Sequence, residues 1–199
     1  EGVQEGTVEE AVIDRNVRRV LEMIQKTPSF RGYRNSDRPD LTAHAKTTRQ
    51  SATEGMVLLK NDDEALPFKE DIKTLSLFGS ISYDFYAGGT GSGNVVRAYT
   101  VSLLDGLNNV GYETEPSIHK AYSKHVAEEI ERLKPEKETA YSALMPREQV
   151  SEMKVTLKQI EESADASDAA LITIGRPSGE FADRKSSEFH ISEAEKELI

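Results

Sequence analysis

The run Ala169-Ala170-Leu171-Ile172-Thr173-Ile174, bounded by Asp168 and Gly175, constrains this chain more than any other stretch. A near-continuous apolar segment of that length, stopped by a glycine, is the pattern of a central strand in a parallel sheet with both faces covered. A second strand is expected over Ile72–Phe78, where β-branched and aromatic residues alternate imperfectly with polar ones before Gly79; the alternation predicts half burial. Helical patterns lie between and around these strands. Thr100 is expected to cap a helix carrying Val101, Leu104 and Leu107 that stops at Gly111. One amphipathic helix follows with Tyr122, Val126, Ile130 and Leu133, ending before Pro135, and another with Val150, Met153, Leu157 and Ile160. Strands alternating with helices predict a three-layer α/β/α sandwich on a mostly parallel sheet.

The N-terminal part reads differently. Thr7 and Glu10 form a capping box, and Ile13, Val17, Val20 and Ile24 fall on one helical stripe that ends near Pro28. Residues 28–39 hold two prolines and no apolar periodicity, as a connector between bodies does. Asp40 can then cap a helix running to about Glu54, after which Gly55 releases the chain into Met56-Val57-Leu58-Leu59. The expected organisation is therefore a terminal helix over 1–27, a linker over 28–39 and the sandwich domain over 40–199. Neither an initiator Met nor a signal-peptide layout opens the chain, and the capping box Ser192–Glu195 starts a helix barely two turns before Ile199. Both features lead us to expect a truncated piece of something larger.

Charge and composition exclude several functions. With 35 acidic against 25 basic residues the formal charge is −10, which argues against a nucleic-acid partner. No run approaches the ~18 apolar residues needed to span a bilayer, so a soluble chain without a membrane partner is expected, its compartment left open between cytoplasmic and secreted or periplasmic. The absence of cysteine removes disulfides, thiolate metal sites and a cysteine nucleophile. His44, His119, His125 and His190 offer no i, i+4 pair and no clustered carboxylates, so neither a metal nor another cofactor is expected.

Two loops carry candidate chemistry. In Gly88-Gly89-Thr90-Gly91-Ser92-Gly93 the missing side chains let the backbone approach a ligand and leave amides free to donate. A nucleotide loop should sit directly between a strand and its helix, whereas Ser80–Ala87 intervenes here and no Gly-Lys-Ser/Thr ending follows. A nucleotide, a surface loop without a role, and a polar ligand met by Tyr83, Tyr86 and Ser92 all stay open. The second loop, Gly175-Arg176-Pro177-Ser178-Gly179-Glu180-Phe181-Ala182-Asp183-Arg184-Lys185, follows the apolar strand at the edge where parallel sheets bind ligands. Glu180, flanked by Gly179 and Phe181, is expected to be poorly hydrated, with a raised pKa suited to a general acid. Alternatively, Glu180 or Asp183 pairs with Arg176 or Arg184 on the surface.

Several stretches, taken in order, resemble one family. Arg49-Gln50-Ser51-Ala52-Thr53-Glu54-Gly55-Met56-Val57-Leu58-Leu59-Lys60-Asn61 with Ala65-Leu66-Pro67, then Leu77-Phe78-Gly79, the glycine loop with Tyr99-Thr100-Val101, and Ser178-Gly179-Glu180 with Asp183-Arg184 are similar to the second domain of glycoside hydrolase family 3, the β-glucosidase family. The resemblance implies a retaining β-glycosidase acting on terminal β-linked sugars. In such an enzyme a (β/α)₈ barrel gives the aspartate nucleophile and the sandwich gives the acid/base. Residues 1–26 resemble the last barrel helix, and no part of the chain resembles the nucleophile motif. The resemblance makes Glu180 the acid/base and puts Ser92, with Gly91 and Tyr86, against the sugar; Phe181 departs from the glycine expected after that glutamate. The implied partners are a carbohydrate substrate and the absent barrel, and the chain is expected to be inactive alone. The rival reading is a non-catalytic carbohydrate-binding or structural α/β module. Sugar stacking falls to Tyr83, Phe85, Tyr86 or Phe181, since tryptophan is absent. The region from Ile118 to Ala164 is expected to be a solvated elaboration away from the chemistry.

Overall fold

A computed structural model describes residues 2–89, 91–93, 95–135, 148–177, 180, 183 and 185–199. The chain divides into two compact units, Glu1–Asn61 and Asp62–Ile199.

The first unit holds helices α1 (Glu10–Lys26) and α2 (Leu41–Glu54). Glu9 occupies the N-cap of α1 without a side-chain bond, and Thr7 instead donates its hydroxyl to Gly2 O, so the expected capping box does not form. Asp40 does cap α2, accepting from the Ala43 amide at 3.0 Å. The stripe of α1 stays largely exposed, from 42 % at Ile13 to 59 % at Val20. Met56–Leu59 forms neither helix nor strand.

The second unit is built on a parallel sheet of β1 (Thr74–Phe78), β2 (Glu113–Thr114) and β3 (Ala169–Ile172), in the order β2-β1-β3. Around it lie α3 (Leu103–Asn109), α4 (Pro116–Arg132), α5 (Leu157–Ala166), α6 (Ser186–Phe189) and α7 (Glu193–Leu198). This is the α/β sandwich that alternating strands and helices imply.

Burial of the two expected strands is the reverse of the pattern read from their sequences. β1 is central, with Leu75 and Leu77 fully buried on one face and Ser76 and Phe78 nearly so on the other. Ser76 looks solvent-facing by residue type, but its hydroxyl bonds Ser163 O and Ser167 Oγ, and a buried polar group so satisfied can face a core. β3, expected to be central, is an edge of the sheet among the described residues and leaves Ile172 41 % exposed. Asp168 joins the strands at their entry, where one carboxylate oxygen accepts the Lys73 and Thr74 amides at 2.8 Å each.

Phe78, Ile118 and Tyr122 form the core against α4, with the Phe78 and Tyr122 rings edge-on and the Tyr83 ring stacked on Tyr122 at 5.2 Å. Ile118, Tyr122 and Val126 of α4 are therefore core, so this part of the region does not stand as a solvated elaboration. Ser102, rather than Thr100, caps α3 in a capping box with Asp105. The helix expected from Val150 starts only at Leu157, behind the N-cap Thr156, whose capping box is closed by Gln159. Residues 151–153 instead run as a strap. Ser151 O accepts from Ser80 Oγ and His125 Nε2, and the Glu152 carboxylate accepts from the Ser80 amide and the Tyr122 hydroxyl, each at 2.9 Å. No helix among the described residues is long and apolar enough to cross a membrane.

Candidate active site

The carboxyl ends of β1 and β3 are laced together. Phe78 O accepts from the Thr173 amide at 3.0 Å and from the Ser82 hydroxyl at 3.0 Å, while the Ser82 and Thr173 hydroxyls pair with each other. Gly79, at φ +92°, lies so close to Thr173 that a β-carbon there would sit 3.0 Å from its carbonyl carbon. Only glycine accepts that backbone angle and approach together. Two segments leave this edge side by side. The first passes through a 3-10 turn at Ser80–Ser82 toward the glycine loop, and the second leaves β3 through Gly175-Arg176-Pro177 toward Glu180.

These segments meet at the residues singled out from the sequence. The Ser92 amide donates to Glu180 Oε2 at 3.0 Å, and the Ser92 hydroxyl donates to Oε1. Gly91 is buried with φ +65°, and a β-carbon there would stand 2.8 Å from Glu180 Cβ and 3.0 Å from its Cδ. Two loops 88 positions apart thus close on one carboxylate. The Ser92 hydroxyl first, and then the Ser92 amide, hold the Glu180 carboxyl below its ordinary value. The direction is opposite to the expected rise, because two donors that face the anion outweigh what little solvation it loses while exposed.

Gly175 fixes the root of the second loop. A β-carbon on it would lie 2.9 Å from Ile81 Cδ1 and 3.1 Å from Tyr86 Cε2, so Tyr86 packs beside that root. Arg176 does not take Glu180 as its partner in the way the surface-pair reading expects. It forms a bidentate pair with Glu195 at 2.6 and 2.7 Å. Sequence reasoning missed Glu195 as a partner, although the Ser192–Glu195 capping box located it at the start of α7.

The Tyr83 hydroxyl is engaged within the fold, donating to Leu77 O at 3.0 Å, and burial first, then Glu115, pushes its pKa upward. Phe85 remains 43 % exposed. Ser178, Gly179, Phe181 and Arg184, named in the sequence reading, lie outside the described residues, as does Thr90 of the glycine loop. His119 lies beside the Tyr83 ring and His125 is held by Ser151 O. Among the described residues no three His, Asp or Glu side chains gather as a metal site.

Comparison with known proteins gives consistent matches. The model of the glycosyl hydrolase family 3 C-terminal domain matches residues 56–199. Beta-glucosidase A of Butyrivibrio fibrisolvens is 31 % identical over 167 residues, covering 81 % of this chain and 18 % of that protein. A beta-glucosidase of Ruminococcus albus is 31 % identical over 163 residues, 80 % of this chain and 16 % of the relative. Among solved structures, beta-glucosidase 3B from Thermotoga neapolitana in complex with alpha-D-glucose superposes with a TM-score of 0.83 at 34 % identity, over 99 % of this chain and 27 % of that one. The chain thus spans less than a fifth of the length of these two curated relatives.

Proposed function

This chain belongs to glycoside hydrolase family 3, and on that footing we propose that it is part of a retaining β-glycosidase to which it contributes the general acid/base, Glu180. The relatives are beta-glucosidases, and one is solved with glucose, which supports a terminal β-linked sugar as substrate. The observation that carries the reading is the convergence of Gly91 and Ser92 with Glu180 at the carboxyl ends of two adjacent parallel strands. Ligands bind at that edge in open α/β sheets.

A retaining glycosidase uses two carboxyl groups about 5–5.5 Å apart. One attacks the anomeric carbon; the other protonates the leaving oxygen and then takes a proton from the incoming water. Glu180 is the second, and the first is an aspartate of a (β/α)₈ barrel outside these 199 residues. Residues 1–27 are then the closing helix of that barrel, 28–39 the connection and 40–199 the sandwich. The 199-residue chain by itself hydrolyses no glycoside, because it holds one carboxylate of the two.

Ser92 gives the acid its timing. While its hydroxyl faces Glu180 the carboxylate form is favoured. When a sugar takes that hydroxyl, the larger cause of the lowered pKa is gone and the Glu180 carboxyl moves back toward its ordinary value, which eases its protonation for the leaving oxygen. Gly91, against Glu180, and Tyr86, beside Gly175, are the other residues assigned to the sugar-facing set in this reading.

The alternative, a non-catalytic sugar-binding module, is favoured by one feature, the exposure of Glu180 together with the Ser92 bonds that hold its carboxyl below the ordinary value. Substrates of graded leaving-group ability separate the two readings. In the enzyme that contains this chain and its barrel, Glu180→Ala should slow poor leaving groups by the 10²–10⁴-fold typical of general acid catalysis and spare activated aryl glycosides in the bond-breaking step. Asp183→Ala is the control. Equal losses at both positions, independent of leaving group, would sink the assignment.

A further inference from the structure

Arg176 ties together three points of the chain that bracket Glu180. Its Nη1 donates to Gly175 O at 2.9 Å and to Glu195 Oε1 at 2.6 Å. Its Nη2 donates to His190 O at 2.9 Å and to Glu195 Oε2 at 2.7 Å. Glu195 Oε2 accepts the Ser192 amide as well, at 2.7 Å, as part of the cap of α7. One guanidinium therefore joins Gly175, just past the end of β3, His190, where the chain returns, and the helix that follows. The segment carrying Glu180 lies between the first two.

We propose that Arg176 and Glu195 form a clasp that positions Glu180 for proton transfer, Arg176 being a positioning residue that touches neither sugar nor reacting atoms. The proposal rests on the reading of Glu180 as the acid/base. Three observations separate this pair from an ordinary surface ion pair. The side chains are 28 % and 10 % exposed, so the pair is partly shielded from solvent. The geometry needs the planar fork of arginine, since four acceptors on three chain segments are met by two terminal nitrogens, which a lysine ammonium cannot reproduce in that plane. The root that the clasp grips is itself pressed against Ile81 and Tyr86, on the segment that runs on to Gly91 and Ser92. The clasp thus holds Gly175 and His190, on either side of Glu180 in the chain, and the first of these lies against the segment that leads to the loop meeting its carboxylate.

The test uses Arg176→Lys, which keeps the charge and loses the fork, and Glu195→Gln, which keeps the shape and loses the charge, each in the barrel-containing enzyme. A misplacement of about 1 Å costs on the order of 10²-fold in rate. The expected result for both is a fall of that size in kcat on alkyl glucosides, a much smaller fall in the bond-breaking step for dinitrophenyl glucoside, and little change in KM. The double variant should lose no more than the worse single one, because the two side chains act as one unit. A loss equal for both substrates, or no loss, alongside a Glu180→Ala variant that is leaving-group dependent, overturns the clasp and leaves the acid/base assignment standing. Should one variant fail to fold, the other decides by the same comparison. If Glu180→Ala is itself indifferent to the leaving group, the acid/base assignment fails and the clasp falls with it.

Discussion

Replacing Gly91 by alanine perturbs the carboxylate site in two separable ways. At φ +65° an L-residue is strained by about 1–2 kcal/mol. Independently, the new β-carbon would stand 2.8 Å from Glu180 Cβ, against the 3.5–4.0 Å at which carbon atoms rest, so Glu180 must retreat by about 0.7–1.2 Å. A displacement of that order costs about 10²-fold in rate when it moves a catalytic group. Two other glycines supply controls. Gly111 also has a positive φ, +92°, with nothing within 4 Å of its would-be β-carbon, and Gly93 has neither a positive φ nor a neighbour in that range. Urea midpoints of the 199-residue chain and turnover of the barrel-containing enzyme should then sort the variants. Gly91→Ala loses both stability and activity, Gly111→Ala loses stability alone, and Gly93→Ala loses neither. Activity of Gly91→Ala within about twofold of Gly93→Ala would refute the reasoning, because a displacement of that size should cost far more.

Two pH experiments follow from the same hydrogen bonds. In the proposed role Glu180 must be protonated to act, so its ionisation should draw the basic limb of the rate profile; Ser92→Ala deletes the larger cause holding it below 4.5 and should move that limb of kcat/KM upward. The limb of kcat should move less, since it reports the sugar-bound enzyme in which the hydroxyl is already engaged, and an unmoved kcat/KM profile would remove Ser92 as the partner. Glu195, held at about 2 against an ordinary 4.5 chiefly by Arg176, has its folded-state pKa depressed. Its contribution to stability is present above 4.5 and is lost as pH falls from there through about 2, so the urea midpoint of Glu195→Gln should vary less with pH across that window than the parent's. Parallel curves would show that the pair does not set the acid response.

What the sequence disclosed and what it hid divide along a physical line. Short-range signals were legible: Asp40 before α2, Ser192 and Glu195 at α7, the strand-like run that holds β1, and the glycines that follow β1 and β3. β2 was not, because two residues carry no periodicity, and its pairing with Thr74 and Leu75 depends on where α3 returns the chain. Relative burial of β1 and β3 was misread because Ser76 hides its hydroxyl in bonds to Ser163 and Ser167, which no local pattern announces. The strap at 151–153 carries a helix-like spacing, but its Ser151 carbonyl and Glu152 carboxylate are claimed by Ser80, Tyr122 and His125, from β1's exit and α4. For the site, composition and resemblance pointed to Ser92 and Glu180 separately, while their union follows from strand order. The raised pKa expected for Glu180 came from its sequence neighbours; the lowered one comes from a residue 88 positions away.

Azide rescue of Glu180→Ala, with the product's anomeric configuration determined, probes the proposed role of Glu180 most directly. Attack by the aspartate leaves an α-linked glycosyl-enzyme, and without its base that intermediate cannot activate water and accumulates. Azide entering through the space the carboxylate occupied forms the new C–N bond as the bond to the aspartate breaks, and needs no base. The expected result is restored turnover of an activated aryl β-glucoside with the β-glycosyl azide as product. No rescue, or an α-azide, would contradict the placing of the acid/base on residue 180.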